Sequence, residues 1–420
     1  MSYFTNILCG ILLPIFLVIC GVFFTFKLRF FFVLHPIKTL KSIFSGSGES
    51  FKSLSIALAG TLGIGNIVGV ASAIIMGGYG AVFWMWVSAF LSMSIKYAEV
   101  FLAMRSQRTK NGARYGGAPY YIYDGFFKKL GKKITLLLAS LFAIFCILNS
   151  FTTGNLVQVN AVSSLFPISK LLFGIIFALL VFLIVFRGTK SIGAVNSILM
   201  PALCAFYLLL CVVILVSNFE KLPSALSLII SGAFSPSCAF FGVSGYGISV
   251  AIRYGVSRGL LSNEAGAGTS PSAHASSNAS AHSQGCLGIL EVFIDTIVLC
   301  TLTAFVIIVS GVYPTNNAMN FVLNAFYREL GAFGKYGVLV ACLLFALATV
   351  CTQYFYGKEA TRFISRSKWC LYLFNILFFG IIIFGSVLPM NIMWQISDLA
   401  LAIMTIFNIT CILILHKRIK

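Results

Sequence analysis

Long apolar stretches, separated by short polar and mostly basic segments, dominate the chain from end to end. Eleven of them approach the roughly 20 residues that a helix needs to cross a hydrocarbon core. They cover residues 7–26, 54–76, 81–104, 134–160, 168–186, 192–216, 239–256, 286–312, 337–356, 369–387 and 396–415. The first is expected to be a retained helix and not a cleaved leader. No positive charge precedes it, no small-residue cleavage site follows, and Lys27 and Arg29 come directly after.

Composition removes the competing classes. Of 420 residues 59% are hydrophobic and 9% charged, whereas a soluble domain carries about 25% charged residues. Soluble, disordered and disulfide-rich secreted chains are excluded, and the expected fold class is an all-α polytopic membrane protein. The 29 basic residues exceed the 10 acidic ones and sit in short runs between apolar stretches. That placement suits anionic lipid headgroups and not nucleic acid. With the N-terminus outside, alternation puts 24 Lys and Arg in cytoplasmic segments and 4 outside, Lys96 lying within a span. The positive-inside rule then predicts a multi-pass protein with its N-terminus outside and its C-terminus in the cytoplasm. The twelve cysteines are scattered, mostly in apolar runs, with no CxxC pair, and read as small lipid-compatible hydrophobes. The four histidines share no metal-ligand spacing, so no structural metal and no cofactor are expected.

Two spans carry glycine-dense interruptions: Ala59-Gly60-Thr61-Leu62-Gly63-Ile64-Gly65-Asn66, and Phe241-Gly242-Val243-Ser244-Gly245-Tyr246-Gly247. Lipid offers no hydrogen-bond partners, so a helix unwinds in a bilayer only where protein or a cavity covers the break. The two interruptions lie five spans apart, which divides the chain into three parts. Residues 1–52 are an extra helix and linker, 53–217 a first five-helix repeat, and 236–415 a second, inverted one. That is the architecture of inverted-repeat secondary transporters. Freed carbonyls suit a hard monovalent cation, and freed N–H groups suit a carboxylate, so the pocket fits a small zwitterion beside a cation. The same glycines would also serve close helix packing alone.

The run Gly63-Ile64-Gly65-Asn66-Ile67-Val68-Gly69, followed by Gly77-Gly78-Tyr79-Gly80, resembles the alanine/glycine:cation symporter family. So do Gly154-Asn155-Leu156-Val157-Gln158-Val159-Asn160 and Ser262-Asn263-Glu264-Ala265-Gly266. The chain departs from the family's usual residues at Ile64, Tyr79 and Thr269, and at Gln353-Tyr354-Phe355-Tyr356-Gly357-Lys358. The resemblance implies a leucine-transporter-like fold with one extra N-terminal helix, in a bacterial cytoplasmic membrane. It also implies symport of alanine, glycine or another small neutral amino acid with Na+, or less often H+. It further implies a sodium site at the carbonyls of Ala59, Leu62 and Ala346 and the hydroxyl of Thr349. The substrate carboxylate would meet Gly63, Ile64, Gly65 and Asn66, and its ammonium Phe241, Gly242, Val243, Ser244 and Gly245. Phe151 and Asn155 would face the same cavity.

Several polar residues admit local explanations. Lys96 and Glu99 share a helical face and read as an ion pair snorkelling to the inner interface. Asn155 and Gln158 either line the pathway or join helices. Asp295 either relays a proton or bonds neighbouring helices. Glu264 caps helices or gates the inner side, and His274 and His282 are expected in solvent. A rival class, rhomboid-type intramembrane serine protease, rests on Gly242-Val243-Ser244-Gly245. Every histidine lies outside the spans, so no base would reach Ser244.

Overall fold

A computed structural model describes residues 7–44, 48–110, 112–186, 189–235, 247–315 and 317–419. Among these residues the protein is helical apart from connections and one small hairpin. α1 (Leu8–Lys27) leads into the short α2 (Pro36–Phe44). α3 (Gly48–Thr61) and α4 (Val68–Gly77) follow, and then α5 (Gly80–Arg105). β1 (Arg108–Lys110) pairs antiparallel with β2 (Ala113–Tyr115), Arg108 opposite Tyr115. Next come α6 (Ala118–Ser163), α7 (Lys170–Phe186), α8 (Thr189–Ser217) and α9 (Leu222–Phe234). The remainder is α10 (Gly247–Asn263), α11 (Ala281–Ser310), α12 (Ala318–Ile364), α13 (Lys368–Gly385) and α14 (Met390–Ile414).

Eight of these helices are long and apolar enough to cross a membrane. They correspond to eight of the eleven expected spans. The other three differ for physical reasons. The second is split into α3 and α4 by its glycines. The fifth, α7, has only 17 residues. The seventh, α10, also has 17 and carries Arg253 and Arg258. Outward faces are nonetheless apolar: Leu171, Leu172, Ile175, Leu179 and Leu183 on α7, and Leu373, Ile376 and Leu377 on α13, are all exposed. Water does not tolerate a continuous apolar belt of this kind on a monomer.

The centre is built by close helix packing. α5 runs alongside both α10 and α11, and α12 crosses α3, α6 and α8. Glycine permits these approaches: a Cβ on Gly80 would come within 2.2 Å of the Gly232 backbone of α9. α4 stops at Gly78, whose positive φ of 71° with ψ 179° turns the chain out of the helix while its N–H still reaches the Ile74 carbonyl. Three helices contain wide turns, Leu8–Leu12 at the start of α1, Thr152–Leu156 within α6 and Phe293–Cys300 within α11, all wound as π-helix. Such turns are rare and concentrate where a helix must re-aim side chains.

Candidate functional site

The first break lies between α3 and α4. Leu62 and Gly63 leave the helix, Gly63 is extended (φ −137°, ψ −154°), and Ile64–Asn66 forms one 3-10 turn. The whole segment is buried, so its freed backbone groups need partners. Asn66 Oδ1 accepts from the Gly63 N–H at 3.1 Å, and Gln158 Oε1 of α6 accepts from the Ile64 N–H at 3.0 Å. Thr349 Oγ1 of α12 donates to the Leu62 carbonyl at 3.1 Å, and Thr303 Oγ1 of α11 to the Asn66 carbonyl at 2.9 Å. All these partners are neutral. A Cβ on Gly63 would stand 2.8 Å from Gln158 Oε1 and 2.9 Å from Thr349 Oγ1.

The expected site residues that are described divide into three groups. Leu62 and Thr349 meet, with Ala59 and Ala346 three residues earlier on their own helices, α3 and α12, and fully buried. Gly63, Ile64, Gly65 and Asn66 form the break, but the Asn66 amide is turned to Asp295 at 2.8 Å. Phe151 and Asn155 face α13. The Phe151 ring stacks on Phe374 at 5.6 Å, and Asn155 Nδ2 donates to the Phe378 carbonyl at 3.0 Å. Gln158, one turn beyond Asn155, is the α6 side chain that reaches the break. Phe241, Gly242, Val243, Ser244 and Gly245 lie outside the described residues.

A second buried break is present where sequence reading expected a solvated cytoplasmic loop. α10 ends at Asn263, and Glu264–Ser270 runs without helix before one turn, Pro271–His274. Every residue from 261 to 270 is buried. Glu264 has φ 46°, and Gly266 and Gly268 both have φ 82°, a region that strongly favours glycine. Gly268 is also crowded: a Cβ there would lie 2.8 Å from the Phe142 ring. The segment is pinned from three sides. Glu99 Oε2 of α5 accepts from the Gly268 N–H at 3.1 Å, and Asn408 Nδ2 of α14 donates to the Gly266 carbonyl at 2.8 Å. Glu264 accepts from Thr269 Oγ1 at 2.6 Å and from Gln353 Nε2 of α12 at 3.0 Å.

The two breaks are neighbours. Gln353 Nε2 also reaches the Gly60 carbonyl at 3.4 Å, so one amide bridges both segments. Gly154 of α6 lets it through, since a Cβ there would fall 2.4 Å from Gln353 Cγ. Gln353 Oε1 is buried without a hydrogen-bond partner. Gly65 packs against Ser262 at the end of α10, at 3.4 Å for an added Cβ. Sequence reading registered Gln353 only as a departure from the family's usual residues, because nothing local marks a contact across hundreds of positions.

Three expectations about charge are corrected by packing. Lys96 and Glu99 do not snorkel: both are fully buried, and Lys96 Nζ lies 3.2 Å from Glu291, 3.6 Å from Glu99 and 2.9 Å from Ser270 Oγ. His274 is not solvated. It is fully buried between Gln284 at 2.7 Å and Glu291 at 3.3 Å, because the loop around it belongs to the core. Arg258, placed by sequence in a cytoplasmic segment, lies within α10, 3.2 Å from Asp398 of α14 and over the Trp394 ring. Arg253 crowds Gly10 near the start of α1. Both arginines therefore stand at the end where α1 begins. The remaining bias is still 22 basic residues to 6.

The two ends of the bundle differ. At the first end Arg258, Asp398 and Trp394 close α10 against α14, and Cys9 of α1 donates to the Asp398 carbonyl at 3.4 Å. At the other end of α5 a cavity of about 450 Å³ opens between Lys52 and Ile56 of α3, the hairpin, Ser272 and Phe355 of α12. A narrower pocket shares Gly116, Ser272 and Glu359 with it and reaches Gly268, Thr269 and Tyr356. Tyr356 packs on Gly60. The larger cavity thus stops short of the breaks, the narrow pocket reaching the second at Gly268 and Thr269 and Tyr356 standing against the first.

Comparison with known proteins gives a consistent result. A family model described as "Sodium:alanine symporter family" matches residues 1–420. The "Sodium/alanine symporter AgcS" of Methanococcus maripaludis is 34% identical over 94% of this chain and 89% of its own length. The "Probable sodium/glutamine symporter GlnT" of Bacillus subtilis is 31% identical over 98% and 87%. Among solved structures, a manganese transporter of Eremococcus coleocola matches with a TM-score of 0.56 at 14% identity, covering 85% of this chain and 75% of that one. MhsT in complex with L-phenylalanine matches with a TM-score of 0.51 at 16% identity, covering 87% and 88%. These likenesses establish the leucine-transporter-like fold.

Proposed function

The chain belongs to the sodium:alanine symporter family, and from that premise we propose how its two breaks carry out cation-coupled amino acid symport. It is a transporter and not an enzyme, which sets the protease alternative aside. Its substrates are a small amino acid and a coupling cation, Na+, which requires no cofactor.

The sodium ion binds the carbonyl oxygens of Ala59, Leu62 and Ala346 and the hydroxyl of Thr349. What supports this is that Thr349 Oγ1 already meets the Leu62 carbonyl, so α3 and α12 present oxygen to one point. Neutral oxygen ligation suits a hard monovalent ion. The amino acid binds between the first break and Glu264–Ser270, beside Gln158 and Gln353. Its carboxylate takes the N–H groups around Gly63, Ile64 and Gly65, displacing the Gln158 amide oxygen, and the sodium ion supplies positive potential nearby. Its ammonium has the Glu264 carboxylate and the unpartnered Gln353 Oε1 within the same enclosure. Contacts from Phe241 through Gly245 and from Asn66 complete the pocket.

Alternating access follows from the contrast between ends. The Arg258–Asp398 closure seals the outer side while the larger cavity opens to the cytoplasm, with Tyr356 standing between it and the first break, so the described state is closed outside and occluded within. In this reading residues 53–217 and 236–415 are the two inverted repeats. The N-terminus is outside, the C-terminus is in the cytoplasm of a bacterial cell, and basic loops rest on anionic lipid of the inner membrane. The single observation that carries the proposal is the pair of adjacent, fully buried breaks bridged by Gln353. The test is uptake by purified protein in liposomes with imposed Na+ and H+ gradients and a panel of alanine, glycine, serine and glutamine. Alanine should accumulate above its external concentration under an inward sodium gradient and equilibrate when the gradient is abolished. Gradient-independent equilibration would overturn symport.

A further inference from the structure

Away from the breaks, a cavity of about 420 Å³ adjoins the larger one and shares Tyr115, Glu359 and Arg362 with it. The hairpin supplies Lys110 and Tyr115, α12 supplies Glu359 and Arg362, and Arg366 follows in the turn to α13. Three cations thus face one carboxylate. That carboxylate is already taken, since Glu359 Oε1 accepts from Arg362 Nη1 at 2.6 Å. Lys110 and Arg366 are exposed and have no acidic partner among the described residues. Other acids close in the chain are engaged elsewhere: Asp124 holds Arg108, and Glu49 faces the larger cavity with Lys52 and Arg114. Lys368, exposed at the start of α13, adds to the same sign. The wall behind these charges is aromatic and fixed. Arg366 Nη2 donates to the Tyr115 hydroxyl at 3.3 Å, Tyr115 meets Tyr120 edge-on at 5.6 Å, and Tyr120 meets Phe363 at 4.9 Å.

Depth narrows the kind of anion that fits. α13 is long and apolar enough to span a membrane, and it begins at Lys368, just beyond Arg366. Trp369 and Tyr372 on its first turns are 83% and 61% exposed, as aromatic side chains are at a headgroup layer. Leu371 lines the cavity, and Leu373, Ile376 and Leu377 continue along the helix as an apolar outward face. A ligand seated here meets cations at one end and hydrocarbon at the other. We propose that this cavity binds the phosphate headgroup of an anionic phospholipid whose acyl chains lie along α13. The planar fork of arginine matches phosphate oxygens, and lysine adds a point charge. A zwitterionic headgroup would bring its own ammonium among these cations, and a soluble phosphate would gain nothing from the apolar face. The proposal stands apart from the symport reading. It adds one consequence: Tyr115 and the Arg362–Glu359 pair wall both cavities, so a seated headgroup steadies the rim of the larger one.

The test uses the full-length protein purified in a neutral detergent and reads its thermal unfolding midpoint. It is titrated separately with phosphatidylglycerol, phosphatidylcholine and inorganic phosphate. Phosphatidylglycerol should raise the midpoint of the parent saturably, and the other two should not match it at equal concentration. In the double variant K110Q/R366Q the half-saturating phosphatidylglycerol should rise at least several-fold. The control K128Q/K129Q removes the same charge from the exposed start of α6 and should leave the titration unchanged. Equal losses in both variants would assign the effect to diffuse surface charge and overturn the site. No saturable rise in the parent, or an equal rise with phosphatidylcholine, would overturn it too. An equal rise with inorganic phosphate would make the ligand a soluble phosphate and refute the lipid assignment. Should K110Q/R366Q fail to fold, Lys110→Gln and Arg366→Gln replace it singly. Each should weaken the phosphatidylglycerol titration in the same direction, and no change in either refutes the proposal.

Discussion

The two breaks solve the same problem with different chemistry. The first, around Gly63, is held by neutral groups alone: Asn66, Gln158, Thr349 and Thr303. The second, Glu264–Ser270, contains one carboxylate and is fastened by another, Glu99, and two of its glycines need left-handed backbone. A neutral cradle leaves carbonyl oxygens at full strength for a cation, and an acidic one attracts an ammonium group. The difference teaches that one fold can close a buried helix break with neutral partners in one place and with carboxylates in another.

Substitutions can break this comparison. The largest effect is expected at Gly268→Val, where a left-handed φ and contact with Phe142 together cost about 3 kcal/mol or more. Folded protein on size-exclusion chromatography should fall sharply and uptake should vanish. Near-normal uptake would show that the second break does not need its backbone geometry. Next comes Gln158→Leu, which leaves the Ile64 N–H buried and unanswered at a cost of about 1–3 kcal/mol. The thermal unfolding midpoint of the substrate-free protein should fall accordingly, and alanine, whose carboxylate would take over that N–H, should restore most of the loss.

Thr349→Val tests the neutral cradle as a cation site. Half-saturating sodium should rise about tenfold, equivalent to about 1.4 kcal/mol, while alanine affinity at saturating sodium stays unchanged. An equal loss in both would assign Thr349 a packing role only. Arg258→Gln removes the ion pair that closes α10 against α14, whose side chains are only 10% and 16% exposed, so accessibility of an engineered thiol at that end should rise a few-fold. The smallest effect is expected at Gly65→Ala, whose new methyl meets nothing nearer than 3.4 Å. Uptake should change less than in Gly63→Ala, whose methyl would strike Gln158. A reversal of that order would mean the first break moves differently from its packing.

Much was legible without coordinates, and the misses share one cause. Hydrophobic runs announced eleven spans, and eight of them are long, apolar helices among the described residues, because lipid demands apolar length irrespective of partners. The first break showed itself as glycines inside such a run, with Asn66 and Thr349 named from motif resemblance. The second did not, because Glu264, Thr269 and Ser270 look like polar loop residues, Lys96 and Glu99 like a snorkelling ion pair, and His274 like a solvated side chain. Only packing revealed that partners from α5, α11, α12 and α14 enclose them.

What the chain's order of residues determined alone was that it must live in a membrane as helices, and where one of them must open. What tertiary structure decided was which polar groups face one another. Burying a charge or a backbone N–H is tolerable only with a partner, and those partners, Gln353 for Glu264 or Asn66 for Asp295, stand 89 and 229 positions away.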